Sequence, residues 1–392
     1  MYYFEFPKID ATIYEGNVTS SINTGLDQIL EINKNMNSAG STIDVSRVLI
    51  QFDYSYISSS VQSGIIPSDA KYYLNLYDAS STELAVEQTL FAYMISGSWN
   101  GGTGTKDRDP TISDGASWKY RDNDTTKTQW VSGSDTQGGT WYTSSLNSGF
   151  NVSASVDLVY ETKDIRMDVT SLVKNHIYSG STFPNYGFIL KRENVPTSQS
   201  LHSIFDPTLA TGSAEHDTSH QGNLKFFSRE TNTIFPPKLE VEWDDSSWNT
   251  CSLSALSATD LDRLKVYFQN LKPEYKEKSK VKFRVVGREL YPTRGFDTTP
   301  AALTVKYLPS GSRTLQQGAY YSVKDAETED VIIPFSTGSI ISCDSTSNYF
   351  NLWMDGFQPE RFYRFEIKVV SGSGAEQTSM IYDDEFTFKV VR

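Results

Sequence analysis

Short runs of aromatic and β-branched residues recur along the chain, each closed by Gly, Ser, Asn or Asp. YYFEF at 2 to 6, SRVLIQFDYSYI at 46 to 57, KYYLNLYD at 71 to 78 and VDLVYETKDIRMDV at 156 to 169 are the clearest in the front part. Runs of this length and make-up, bounded by turn formers, predict strands. Helical periodicity is scarce. VTSLVKNHIYSG at 169 to 180 predicts one short helix, with Thr170 as its N-cap, Leu172, Val173 and Ile177 on one face, and Gly180 as its stop. SATDLDRL at 257 to 264 predicts a single further turn.

Between about 97 and 155 the pattern changes to Gly, Ser, Thr and Asp with isolated tryptophans, as in GSWNGGTGTKDRDP and SDTQGGTW. That composition predicts long loops laid over one face of a sandwich. A second polar excursion, PTLATGSAEHDTSHQGN at 207 to 223, reads as a loop tip. After KLEVEWDD at 238 to 245 the chain is poor in strand formers, which marks a domain boundary. Eight short strand runs then follow to the end, among them KVKFRVVGREL and RFYRFEIKVV, as an immunoglobulin-like sandwich requires.

Composition narrows the classes. Hydrophobic residues at 38% and aromatics at 13% suit packed domains and exclude a wholly disordered chain. Mean hydropathy is -0.42 and no apolar run reaches about 18 residues, so no membrane insertion is expected. The start, MYYFEFPK, has neither a basic n-region nor a long apolar stretch, and export by a signal peptide is not expected. Only two cysteines occur, Cys251 and Cys343, without a CxxC companion, which suits a reducing compartment.

The net charge of -13 argues against a dedicated nucleic-acid binder. The charge is unevenly spread: residues 1 to 262 hold 17 basic against 32 acidic side chains, and residues 263 to 392 hold 18 against 16. Residues 263 to 294 alone carry ten basic and three acidic side chains. Lys272, Lys276, Lys278, Lys280, Lys282, Arg284 and Arg288 form a candidate docking patch for an acidic partner, against the plainer reading of a solvated face.

The order of several segments resembles a known family. TIYEG at 12 to 16, SRVLIQFD at 46 to 53, KYYLNLYD at 71 to 78, SWNGG at 98 to 102, GASW at 115 to 118, DVTSLVKNHIYSG at 168 to 180, NYGFILK at 185 to 191, FFSRET at 226 to 231 and PPKLEVEW at 236 to 243 resemble the DNRLRE-type domain. That domain is a carbohydrate-binding-module-like jelly roll of surface and secreted proteins. The resemblance makes Asp168-Val169-Thr170 the lead into the helix, and FFSRET with PPKLEVEW the last strand pair. The back part, notably YYSVKDAETEDVIIPFSTG and NYFNLWMDGFQPERFYRFEIKVV, looks like immunoglobulin-like modules of virion proteins from T4-like marine tailed phages. Phage particles assemble in the host cytoplasm and leave by lysis, which fits a chain without signal peptide or disulfides.

Chemistry leaves few candidates. No GxSxG, HExxH, P-loop or GxGxxG motif occurs. His216 and His220 have an i, i+4 spacing that suits a metal only on a helix, and their Gly, Ser and Thr neighbours predict a loop. Asp107, Asp109, Asp114, Asp122, Asn123 and Asp124 are calcium-type ligands, but neither cluster fits an EF-hand loop, and turn-forming surface residues are the expectation. Trp99, Trp118, Trp130 and Trp141, with Tyr120 and Tyr142, are candidates for stacking on a glycan or a partner, against the competing reading that they pin loops to the sandwich.

These readings combine into an all-β chain: a DNRLRE-like jelly-roll β-sandwich over 1–246, a linker over 247–262 and a smaller immunoglobulin-like β-sandwich over 263–392. The expected function is non-enzymatic, with no catalytic residue, metal or cofactor: a virion structural protein of the tail, neck or baseplate, partnered by other virion proteins and by copies of itself. A glycan-binding module for the host surface and a head-decoration protein are the alternatives.

Overall fold

The computed structural model describes residues 1–16, 19–36, 43–81, 88–107, 112–124, 126–130, 138–142, 150–158, 164–192, 215, 221–256, 261–291, 305–308, 318–371 and 378–392. The chain is nearly all β and folds as β-sandwiches, as its alternating patterns require. It divides into two compact units, Glu5–Glu240 and a second made of Met1–Phe4 with Val241–Arg392. The first four residues thus belong with the C-terminal part, whereas the sequence division kept them in the front domain. Among the described residues no helix is long and apolar enough to cross a membrane.

The first strands are β1 (Tyr2–Glu5), β2 (Pro7–Tyr14), β3 (Ile29–Met36), β4 (Ile43–Phe52), β5 (Lys71–Leu76) and β6 (Gln88–Met94). β7 (Tyr120–Asp122), β8 (Thr128–Gln129), β9 (Ser153–Leu158), β10 (Ile165–Asp168), β11 (Phe188–Arg192), β12 (Gly222–Phe227) and β13 (Lys238–Glu242) follow. One sheet of the Glu5–Glu240 unit runs β12-β3-β4-β11-β6-β9, with β2 also paired to β4. In another, β5 lies between β10 and β13. The segments read as a last strand pair, β12 and β13, therefore sit in different sheets.

Alternation along β4 assigns its faces. Val48, Ile50 and Phe52 are fully buried on one side, while Ile43, Val45 and Leu49 join a separate apolar cluster on the other. The large sheet is thus covered on both faces, and the Gly- and Trp-rich stretch supplies the outer cover.

Among the described residues the unit also has two short helices, α1 (Ser55–Gln62) and α2 (Thr170–Ser179). Helix α1 corrects the strand expected to run to Ile57. The strand stops at Phe52, and the Asp53 carboxylate accepts from the Ser55 amide at 2.9 Å, turning the chain into a helix that buries Ile57. Helix α2 lies where its periodicity placed it, but its N-cap is Val169. Asp168 Oδ1 accepts from the Thr170 amide at 2.9 Å, and Thr170 Oγ1 accepts from Tyr72 N at 2.9 Å, so the threonine hydroxyl serves the neighbouring strand.

In the second unit the strands after β1 are β14 (Ser254–Ala255), β15 (Leu264–Gln269), β16 (Glu274–Lys276), β17 (Lys280–Glu289), β18 (Lys306–Tyr307) and β19 (Gly318–Asp325). β20 (Val331–Ile333), β21 (Ser342–Cys343), β22 (Asn348–Trp353), β23 (Phe362–Ser371) and β24 (Thr378–Val391) complete it. One sheet is β14-β18-β17-β22-β21 with β15 added to β17, and its companion is β16-β24-β23-β19-β20. Phe268, Phe283, Phe350, Phe365 and Phe388 form the centre of this sandwich, with Phe283 and Phe365 ring centroids 4.8 Å apart. Edge-to-face and offset pairs of this kind add about 0.5–1.5 kcal/mol each beyond the area they bury.

Candidate functional site

The most elaborate side-chain constellation lies on the outer face of the large sheet, under the Trp-bearing loops. Trp99, Trp118, Trp130 and Trp141 pack with Ala11 and Ile13 of β2, Val45 and Leu49 of β4, and Ile189 of β11. Their exposures are 9%, 5%, 7% and 7%, so none offers an open ring face. Two indole N–H groups donate to backbone carbonyls, Trp99 Nε1 to Tyr186 O and Trp130 Nε1 to Ser117 O, both at 2.8 Å. A sugar stacks on an exposed ring; here the rings are interior side chains that fasten the loops.

Three charged side chains lie beneath two of these rings. Arg47 of β4 donates to Glu215 through Nε at 3.2 Å and Nη2 at 2.8 Å, and to Gly138 O through Nη1 at 2.6 Å. Lys191 of β11 meets Glu215 Oε2 at 3.0 Å. The Arg47 guanidinium carbon lies 4.6 Å from the Trp118 ring centre and 5.2 Å from that of Trp141, and Lys191 Nζ lies 4.4 Å from Trp141. All three charged residues are buried. Gly138 is required at its place: its backbone is left-handed (φ +59°), and a Cβ there would fall 2.5 Å from both Arg47 Nη1 and the Trp118 ring.

Burial opposes the charge on Glu215, but the fields of Arg47 and Lys191 and their hydrogen bonds outweigh it and hold the carboxyl down at about 2. Burial, aided by Arg47, brings Lys191 down to about 7 against the pull of Glu215. Cation–ring contacts and a bidentate carboxylate replace the water these cations have lost. Among the described residues these charges answer one another, and Glu215 works as a pin that joins two strands of the sheet, β4 and β11. Sequence reasoning missed it. The available signal was a basic residue at an inward apolar position of each strand, Arg47 between Val45 and Leu49 and Lys191 after Ile189.

Asn23 organises the glycine-rich end of the same cover. Its side-chain amide donates to Gly101 O at 2.7 Å and Ala116 O at 3.0 Å, and its Oδ1 accepts from Gly104 N at 2.8 Å. The chain wraps it so closely that a Cβ on Gly102, whose φ is +74°, would fall 2.4 Å from Asn23 Oδ1. Two glycines of SWNGGTG are explained by this wrapping, Gly102 and Gly104, since a Cβ on Gly104 would fall 2.3 Å from Asn23 O.

Tyr120 lies on β7, half-buried, with Lys127 Nζ 5.8 Å from its ring centre. Tyr142 is half-buried, donates to Thr182 O at 3.3 Å and packs edge-on against Phe183. Asp114 accepts from Thr103 N at 2.9 Å and Thr103 Oγ1 at 2.6 Å, and Asp122 accepts from Asp124 N at 3.1 Å, as turn aspartates do. Asp107 and Asp124 are exposed, and Asn123 is buried. Asp109, His202, His216 and His220 lie outside the described residues. Among the described residues no group of three or more His, Cys, Asp or Glu is placed to hold a metal ion.

The basic patch is partly neutralised within its own unit. Lys282 Nζ meets Asp344 Oδ2 at 2.8 Å, and Arg284 grips both oxygens of the same carboxylate at 3.0 Å. These pairs hold the Asp344 carboxyl far below the usual carboxylate range. Lys280 lies over Trp353, 4.7 Å from the ring centre, and Arg288 Nη1 reaches Glu289 O at 3.4 Å. Lys272, Lys276 and Lys278 are exposed around the short edge strand β16, where lysines also discourage strand addition. The seven residues thus do not act as one uncompensated cationic surface.

No family model matches the chain, and no curated protein matches it. Among solved structures, a DUF4785 family protein from Legionella pneumophila aligns over 100% of this chain and 65% of its own length, at 9% identity and a TM-score of 0.19. A likeness of that depth carries no inference about fold or function.

Proposed function

We propose that the chain is a non-enzymatic structural protein of a tailed-phage particle, a tail, neck or baseplate component acting through protein–protein assembly. Within this reading the Glu5–Glu240 unit is a DNRLRE-type jelly roll and the second unit is an immunoglobulin-like module. A supporting feature of the latter is Tyr363, at the start of β23, whose hydroxyl donates to Gln358 O at 3.0 Å, the arrangement of a tyrosine corner.

One observation carries the reading. The loops that would have to present a sugar platform are instead consumed in building a second apolar layer, with four tryptophans and the Arg47–Glu215–Lys191 pin inside it. That construction suits a rigid block that offers surfaces to neighbours. The glycan reading loses its four main contact residues and keeps the half-buried Tyr120 and Tyr142. Deletion of the gene from the encoding phage tests the proposal. Electron micrographs should show particles arrested or missing a tail, neck or baseplate part, restored by supplying the chain. Complete infectious particles of unchanged protein composition would sink it.

A further inference from the structure

The second sandwich holds a strand-shaped groove filled by the chain's first residues. Tyr2 and Phe4, 1% and 3% exposed, belong to its apolar core, while Tyr3 points the other way and meets Trp353 edge-on at 6.1 Å. The Tyr2 hydroxyl donates to Glu242 Oε1 at 3.1 Å and is hydrogen-bonded to Ser336 Oγ, and Trp243 N donates to Met1 O at 3.1 Å. The groove is cut to these rings: a Cβ on Gly356 would fall 2.1 Å from Phe4 Cδ2, and one on Gly338 3.0 Å from Tyr2 Cε2. Backbone pairing plus pockets for alternate side chains is the recognition mode of strand addition.

The segment that fills the groove is followed at once by the other unit, which begins at Glu5. Only Phe6 separates β1 from β2. A short element separated from the next strand by a single residue is what protomers exchange in domain swapping, because the swapped state remakes the contacts of the closed one. Resting on the assembly reading, which supplies many copies at high local concentration, we propose that Met1–Phe4 is an exchangeable strand. In the assembled state, Tyr2 and Phe4 of one copy fill the groove of a second copy. The occupant is another copy because the groove fits this sequence, and each neighbour carries it.

Two full-length variants test the exchange. Tyr2→Ala/Phe4→Ala keeps an acceptor but lacks the donor rings, and Gly356→Leu keeps the donor but puts a side chain where Phe4 sits. Each alone should sediment as a monomer, and the mixture should form a one-to-one complex. No complex from two folded variants overturns the exchange. If either variant fails to fold, wild-type chain with a protease site inserted after Glu5 is cut once folded and offered labelled Met-Tyr-Tyr-Phe-Glu peptide. Uptake is expected, with the Phe4→Ala peptide competing more than about a hundredfold less well, and absence of uptake overturns the exchange. Particle composition separates the two ideas. A chain found on particles without exchange removes only the swap, and exchange in solution by a chain absent from particles removes only the particle role.

Discussion

Glu215 is the residue on which the outer layer of the first unit depends, since it answers two buried cations at once. Glu215→Gln keeps its shape and removes the charge, leaving Arg47 and Lys191 buried without a counter-ion. A loss of about 3–5 kcal/mol is expected in urea unfolding. Lys191→Met should cost much less, because it deletes a charge that burial already disfavours. Titration separates two further groups. Burial raises the Asp10 carboxyl to about 7, against the Arg229 amide that donates to it at 2.7 Å. Between about pH 4 and 7 the folded chain therefore keeps a proton that the unfolded chain has lost, and the Asp10 share of stability falls as pH rises, then levels above 7. Lys191, near 7 when folded against 10.5 in the open chain, acts the other way from pH 7 to about 10: the unfolded chain holds the extra proton, and stability rises with pH. Asp10→Asn, which preserves an acceptor for Arg229, should flatten the slope of unfolding free energy across the lower window, and Lys191→Met the slope across the upper one. Unchanged slopes in both would contradict these assignments.

At the scale of elements, the cover over the large sheet is held by Asn23 and by the tryptophans. Asn23→Ala strands Gly101 O, Ala116 O and Gly104 N without their partner, and should destabilise the unit by about 2–3 kcal/mol. Hydrogen exchange at the Gly104 amide should accelerate first. An unchanged rate there would show that the loop does not need its hub. The strands themselves were legible in the sequence: KVKFRVV alternates, and β17 places Phe283 and Val285 inside while Lys282 and Arg284 face out. The end of β4 was not, because DYSYI contains good strand formers, and only the Asp53 carboxylate bonding back to Ser55 starts the helix. The tryptophans were found, but their role was open. An aromatic ring serves a core and a platform equally well, and the choice was made by a sheet face assembled from β2, β4 and β11. Glu215 lies 168 residues from Arg47, so no local pattern could announce their pairing.

At the scale of the molecule, two β-sandwich units share one chain, and the second takes its first strand from the far end of the sequence. The division at 246 followed the loss of strand formers after KLEVEWDD, and that local pattern could not report that Tyr2 and Phe4 belong with Phe350 and Phe388. Particle assembly is the central proposal. The measurement that tests it most directly is quantitative mass spectrometry of purified particles of the encoding phage, with the chain counted against the portal protein. About six or twelve copies per particle, or a small multiple, is the expected result for a tail, neck or baseplate component obeying the particle's rotational symmetry. Hundreds of copies would move the chain to the head surface, and its absence from the particle would contradict the claim.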